Sequence, residues 1–189
     1  MGHGARHVLL MTGVPGVGKT TLLRRVAEKA ERRLGGFTTE EMRKRGQRVG
    51  FRIVPLHGSA RVMAHVDLGG GARVGRYGVD VAAIDAVAEA TLALDPGVEV
   101  YLVDEIGKME CFSQRFVAAM RRLLDSDRPL VASIARTGGG FIAEVKRRQD
   151  VELWEVTARN RDALVDPVLE WIAARSSGRR SGVAGSERG

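Results

Sequence analysis

Residues 13–20 read GVPGVGKT, and Thr21 follows. Two glycines, a lysine and a hydroxyl residue in the spacing G-x-x-x-x-G-K-T are what a backbone loop needs to hold a polyphosphate. Glycine lets the chain approach closely and take positive φ. The amide N–H groups of such a loop, and of the helix it opens, point at the anion. Gly13, Val14, Pro15, Gly16, Val17, Gly18, Lys19, Thr20 and Thr21 are therefore the candidate phosphate-binding residues. Lys19 can reach the β- and γ-phosphates, and the Thr20 hydroxyl can sit on Mg²⁺.

A second constellation lies in VEVYLVDE, residues 98–105. An apolar run closes on Asp104, the place where a strand-end carboxylate holds Mg²⁺ directly or through water. Glu105 comes next, where a carboxylate can orient and deprotonate an attacking water. Thr20 and Asp104 are thus the candidate metal residues, and Lys19 and Glu105 the candidate catalytic ones. P-loop chains with a glutamate beside this aspartate characteristically hydrolyse NTP in place. They also insert a strand between the loop strand and the acidic strand. PLVASIA, residues 129–135, is the candidate for that strand, with Ser133, Arg136 and Thr137 expected to face the γ-phosphate.

These groups must be positioned by regular elements. HVLLMT (7–12) reads as a buried strand. TLLRRVAEKAERRL (21–34) reads as a helix, apolar at Leu22, Leu23, Val26, Ala27, Ala30 and Leu34, with Gly35-Gly36 as its stop. GFTTEEM and RVGFRIVPL form a hairpin about RKRGQ, bending at Gly46, and ARVMAHV (60–66) adds a third strand. Residues 69–78, GGGARVGRYG, read as a loop. A helix capped by Asp80 follows, then a turn at Asp95-Pro96-Gly97. Beyond the acidic strand come a helix capped by Ser113 and ending at Leu124, a strand at 129–135 and a short helix at 141–148. A strand at 151–156 and a helix at 161–174 complete the pattern. Alternation of this kind predicts an α/β fold of three layers, a largely parallel sheet carrying an antiparallel hairpin insertion. One domain spans 1–174, and residues 175–189 form a basic tail of Ser, Gly and Arg with the composition of a disordered segment.

Composition narrows the classes. The chain has 189 residues, a hydrophobic fraction of 44% and a net charge of +7. No apolar run approaches the roughly 18 residues of a membrane span, and no signal peptide is visible. The one cysteine, Cys111, permits no intrachain disulfide and fits a cytoplasmic, reducing setting. His3, His7, His57 and His65 show no metal-ligand spacing, which disfavours zinc. Basic clusters at 43–45, 121–122 and 146–148 would suit phosphate backbones. With aromatics at 5% to stack bases, nucleic acid is nevertheless disfavoured as the main partner. Asn160 and Asp162 are one residue too close for the guanine-reading N-K-x-D element, and Asn160 is expected to cap the last helix. Trp154 is expected in the core.

GVPGVGKTTL, GFTTEEMRKRGQRVGFRIVPL, VGRYGVD, VDEIGKMECFS, FIAEVKRRQDVELWEVT and NRDAL occur in that order. Together they resemble the thermophilic-type nucleoside triphosphate phosphatases, whose animal members are called cancer-related nucleoside triphosphatases. The resemblance runs from about Val8 to Ile172. It implies a RecA-like P-loop fold and hydrolysis of ATP, GTP and other NTPs with little base preference. It also implies that Leu102, Val103, Asp104, Glu105, Ile106, Gly107, Lys108 and Met109 lie against the nucleotide. Lys108 and Glu110 become second-tier site candidates, and Arg43 or Arg48 candidates to approach the phosphates. Thr38 stands where that pattern leads one to expect an aromatic or bulkier residue. Mg²⁺ is the implied cofactor, NTP the substrate and a monomer the expected state. A nucleotide or small-molecule kinase, or a nucleotide-gated RNA- or protein-binding module, are the competing readings on the same scaffold.

Overall fold

Before residue 34 and after residue 80 apolar runs alternate with helices, so those strands have helices to bury them. The computed structural model describes residues 6–176. In chain order the elements are β1 (Val8–Thr12), α1 (Lys19–Lys29), β2 (Leu34–Lys44), β3 (Gln47–Pro55) and β4 (Arg61–His65). Next come β5 (Arg73–Val74), β6 (Tyr77–Val79), α2 (Val81–Thr91), β7 (Val100–Ile106), a 3-10 turn (Glu110–Phe112) and α3 (Gln114–Leu124). The series ends with β8 (Leu130–Ile134), α4 (Gly140–Lys146), β9 (Val151–Glu155) and α5 (Val165–Ser176).

All nine strands share one sheet, in the order β5-β6-β4-β3-β2-β7-β8-β1-β9. From β2 to β9 the pairings are parallel, and β3, β4, β6 and β5 extend the sheet antiparallel. As expected, β8 lies between the loop strand β1 and the acidic strand β7. Side chains of a strand alternate between faces. Leu9 and Met11 therefore pack with Leu23 and Val26 of α1 and Val168 and Ile172 of α5. Val8 and Leu10 join Ile84 of α2, Phe116 and Met120 of α3 and Val145 of α4 on the other face. The fold is a three-layer α/β sandwich.

The expected caps form: Asp80 accepts from the Ala83 N–H at 3.0 Å and Ser113 from the Phe116 N–H at 2.8 Å. The hairpin bends where expected, with Arg45 and Gly46 both at positive φ. Trp154 is half-buried against the α1/α5 core.

Four boundaries differ from the sequence reading. First, α1 ends at Lys29, and Leu34 opens β2 opposite Val100. The Arg33 carbonyl is taken by the Glu99 N–H at 2.8 Å, so pairing with the next strand overrides helical periodicity. Second, Gly35 and Gly36 do not end a helix but lie inside β2. Third, the glycine-rich segment 69–78 contains the small hairpin of β5 and β6, turned at Gly75. Fourth, α5 begins at Val165, and Asn160 caps no helix. It closes a turn with Thr157, whose N–H donates to Asn160 Oδ1 at 2.7 Å. At its far end α5 includes Arg175 and Ser176, two residues assigned above to the tail. Arg175 bonds Glu152 at 2.6 Å and lies over the Trp171 ring. The rest of the basic tail lies outside the described residues.

Gly36 shows why that position is glycine. Its φ is +106°, and a Cβ there would sit 1.9 Å from the Leu102 carbonyl oxygen. The obstacle is the backbone of a central strand, which cannot step aside. Gly36→Ala should therefore destabilise the fold by about 3 kcal/mol or more. Urea unfolding checks this as a lowered midpoint; an unchanged midpoint would contradict it.

Candidate active site

The glycine loop runs from the end of β1 to the start of α1. Gly16 and Gly18 both hold positive φ, at +78° and +107°. Gly18 is the N-cap of α1, and no side chain caps the helix. Its first N–H groups are thus available to an anion. Gly13 is held against Val156, where a Cβ would approach the carbonyl oxygen to 2.4 Å. On the outside, the Arg161 side chain packs over Gly18 and donates to the Val17 carbonyl at 3.4 Å.

Asp104, at 1% exposure, is the hub of the site. Its Oδ2 accepts from the Thr20 hydroxyl at 2.6 Å, the Thr39 hydroxyl at 2.9 Å and the Thr39 N–H at 3.3 Å. Its Oδ1 accepts from the Ser133 hydroxyl at 2.6 Å. Thr20 and Asp104, 84 residues apart in the sequence, are therefore in direct contact. Both offer hard oxygen donors at a strand end beside the loop, which fits Mg²⁺ and its small share of protein ligands. Among the described residues no cluster of three or more His, Cys, Asp or Glu is arranged to bind a metal. Ser133, a candidate to face the γ-phosphate, is fully buried, donates to Asp104 and lines neither of the cavities at the loop.

Lys19 is 8% exposed, with its Nζ 3.3 Å from the Gly13 carbonyl and 3.8 Å from Glu105 Oε2. Burial raises the Glu105 carboxyl above the usual carboxylate range; Lys19 partly offsets this, and Asp104 adds to it. A raised carboxylate is a stronger base than a solvated one. The Asp104–Glu105 peptide is cis.

Two cavities meet at this pair. The first, about 550 Å³, is polar and runs along the loop past Thr20, Thr21, Arg24, Glu41 and Arg48. The second, about 410 Å³, is walled by Val14, Phe51, Met63, Val74, Met109 and Ala135, with Lys108, Glu110, Arg136 and Thr137 at its edge. Pro15, Lys19, Thr39, Phe51 and Glu105 line both. Of the stretch 102–109, the residues that line a cavity are Glu105, Lys108 and Met109. Leu102, Val103 and Ile106 are fully buried and support the strand from the two cores. Val17 is buried likewise.

Arg43 is turned to Glu41 and to the Gly46 carbonyl at the hairpin tip, away from the loop. Arg48 lines the polar cleft, paired with Glu41 and 5.5 Å over the Phe51 ring. Thr38 is buried and lines neither cavity. Thr39 is the residue that sequence reasoning missed. Its signal was the parallel pairing of β2 with β7: Phe37 opposes Val103, so Thr39, two residues on, reaches the acidic strand end.

A family model described as NTPase matches residues 8–169. The nucleoside-triphosphatase THEP1 of Thermotoga maritima is 36% identical over 162 residues, covering 85% of this chain and 92% of the relative. The cancer-related nucleoside-triphosphatase of Homo sapiens is 36% identical over 185 residues, covering 89% and 97%. The crystal structure of THEP1 from Aquifex aeolicus superposes with a TM-score of 0.79 at 33% identity, covering 87% of this chain and 98% of that one. A match of this extent, in sequence and in superposed structure, makes the chain a member of the NTPase family.

Proposed function

We propose that the protein is a Mg²⁺-dependent nucleoside triphosphatase that converts NTP and water to NDP and phosphate with little base preference. The observation that carries this is the Lys19–Glu105 pair at the junction of the two cavities. The loop amides and Lys19 hold the β- and γ-phosphates, and Lys19 meets charge that develops on the γ-phosphoryl group. Glu105 orients a water in line with that group and takes its proton as the bond to phosphorus forms. That proton leaves with the products, restoring the carboxylate. Thr20 and Asp104 would hold Mg²⁺, which would supply positive charge to offset that of the phosphates. The relatives' shared name specifies no base, which supports broad substrate use.

We also infer a cytoplasmic monomer for which nucleic acid is not the main partner. No described helix is long and apolar enough to cross a membrane. One arginine of each basic cluster is paired: Arg43 with Glu41, Arg121 with Glu144, and Arg148 with Asp125 and Asp150.

Phosphate release from ATP, GTP, CTP and UTP with Mg²⁺, with no acceptor present, tests the function. All four should be hydrolysed, and chelation of the metal should stop each reaction. Nucleotide binding without phosphate release would instead identify a kinase or a nucleotide-gated binding protein.

A further inference from the structure

Glu110 is buried in the wall of the apolar cavity, at 4% exposure, and the hydrolytic scheme above leaves it without a task. It opens the 3-10 turn, which backbone bonds hold in place: the Cys111 N–H to the Gly107 carbonyl at 3.1 Å and the Ser113 N–H to the Glu110 carbonyl at 3.0 Å. Gly107 lies between two carboxyls. A Cβ built on it would stand 2.8 Å from Glu110 Oε2 and 3.0 Å from Glu105 Oε1. Both oxygens therefore crowd the same side of one Cα. Among the described residues no lysine, arginine or histidine forms an ion pair with Glu110.

The surrounding charges are accounted for. On β7 stand Asp104 and Glu105, both repelling a charge on Glu110. On α2, Asp85 is taken by Ser113 and Arg115, and Glu89 by Arg115 of α3. Arg121 of α3 is paired with Glu144. Lys19, Lys108 and Arg136 line the same cavity, and Lys146 is bonded to the Arg136 carbonyl. A buried carboxyl with two carboxylates near it and no cation in contact keeps its proton. Burial first, then Glu105 and Asp104, push the Glu110 carboxyl up to about 8, although the N–H groups of Glu110 and Gly107 favour the ionised form. A neutral carboxylic acid has an O–H to donate, and the Glu105 carboxyl stands across Gly107 from it.

We propose that Glu110 is a positioning residue: its carboxyl holds a proton across Gly107 from Glu105 and donates a hydrogen bond that aims the Glu105 carboxylate at the attacking water. This deepens the hydrolase reading and rests on Glu105 as the base. Above pH 8 the Glu110 proton leaves, the donor is lost and a third negative charge stands beside the phosphate site. Turnover therefore falls as pH rises through that value. Stability moves in the same direction. The native state binds this proton more tightly than the unfolded chain, whose glutamate titrates near 4.5, so stability falls as pH rises from that value toward 8.

Glu110→Ala and Glu110→Gln test the assignment. Ala removes the donor and should lower kcat about tenfold or more, with KM for NTP little changed, because only the base is misaimed. Gln keeps shape and an N–H donor but cannot ionise. It should recover most of the kcat lost in Ala and remove the alkaline fall in the kcat–pH profile. Infrared spectroscopy of the nucleotide-free protein gives an independent readout: at pH 7 wild type should show the carbonyl band of an un-ionised carboxyl, absent from Glu110→Gln. Gln as impaired as Ala, an alkaline fall that persists in Gln, or an ionised Glu110 at pH 7 would each overturn the assignment. If wild type shows the protonated band yet hydrolyses no NTP, the hydrolase reading fails while the proton on Glu110 stands.

Discussion

Glu105→Gln should bind NTP as wild type does and turn it over about 10²–10⁴-fold more slowly, the range spanned by a positioned general base. The substitution keeps the side chain's length and its place at the junction of the two cavities, and removes its ability to accept a proton. The effect belongs in kcat, because Glu105 contributes nothing attractive to a polyanion in the ground state. Its 3.8 Å contact with Lys19 means that neutralising it frees a cation for the phosphates, so nucleotide affinity should hold or rise. Single-turnover phosphate release together with a binding titration separates the two quantities. A variant retaining more than about a tenth of wild-type kcat would exclude Glu105 as the base.

Lys19→Ala has the second large effect, and its signature is different. The ammonium is nearly enclosed, reaching the Gly13 carbonyl and Glu105 from the first residue of α1. Enclosure lowers the local dielectric, so the charge counts for more than a surface lysine would. Removing it takes one positive group from the phosphates, leaving them to the loop amides and the metal, and leaves Glu105 without its neighbouring cation. Both binding and turnover should fall, with kcat/KM down about 10²–10³-fold, the loss seen for one preorganised electrostatic group. The double variant with Glu105→Gln should lose less than the product of the two single losses, because the residues act as a unit. Full multiplicativity in that cycle would mean that they act separately.

Much of this site was legible in the sequence because its chemistry is written in short runs. The glycine spacing announces the loop, and an apolar strand ending in Asp-Glu announces the metal and water residues. The caps at Asp80 and Ser113 were legible for the same reason: each is a contact between residues three apart. What escaped was whatever depends on strands distant in sequence. Thr39 reaches Asp104 because β2 pairs with β7 across 65 positions of chain. Ser133 reaches Asp104 because β8 is threaded between β7 and β1. Gly36 looked like a helix stop because local pattern records a glycine's freedom but not the Leu102 carbonyl that demands it. The β5–β6 hairpin was hidden by the glycines that make its turn. Glu110 could be named from its motif, but its burial could not, since the cover comes from a cavity wall assembled from several elements.

The four bonds to Asp104 carry a kinetic consequence. Ser133 alone commands Oδ1, while Thr20 and Thr39 share Oδ2. When Thr20 turns its hydroxyl toward an incoming ligand, each carboxylate oxygen still has a tether. The orientation of the group is over-determined, so resting and loaded enzyme can use the same rotamer. The motion left at Asp104 is the turn of one threonine hydroxyl, a picosecond-to-nanosecond event that cannot limit turnover.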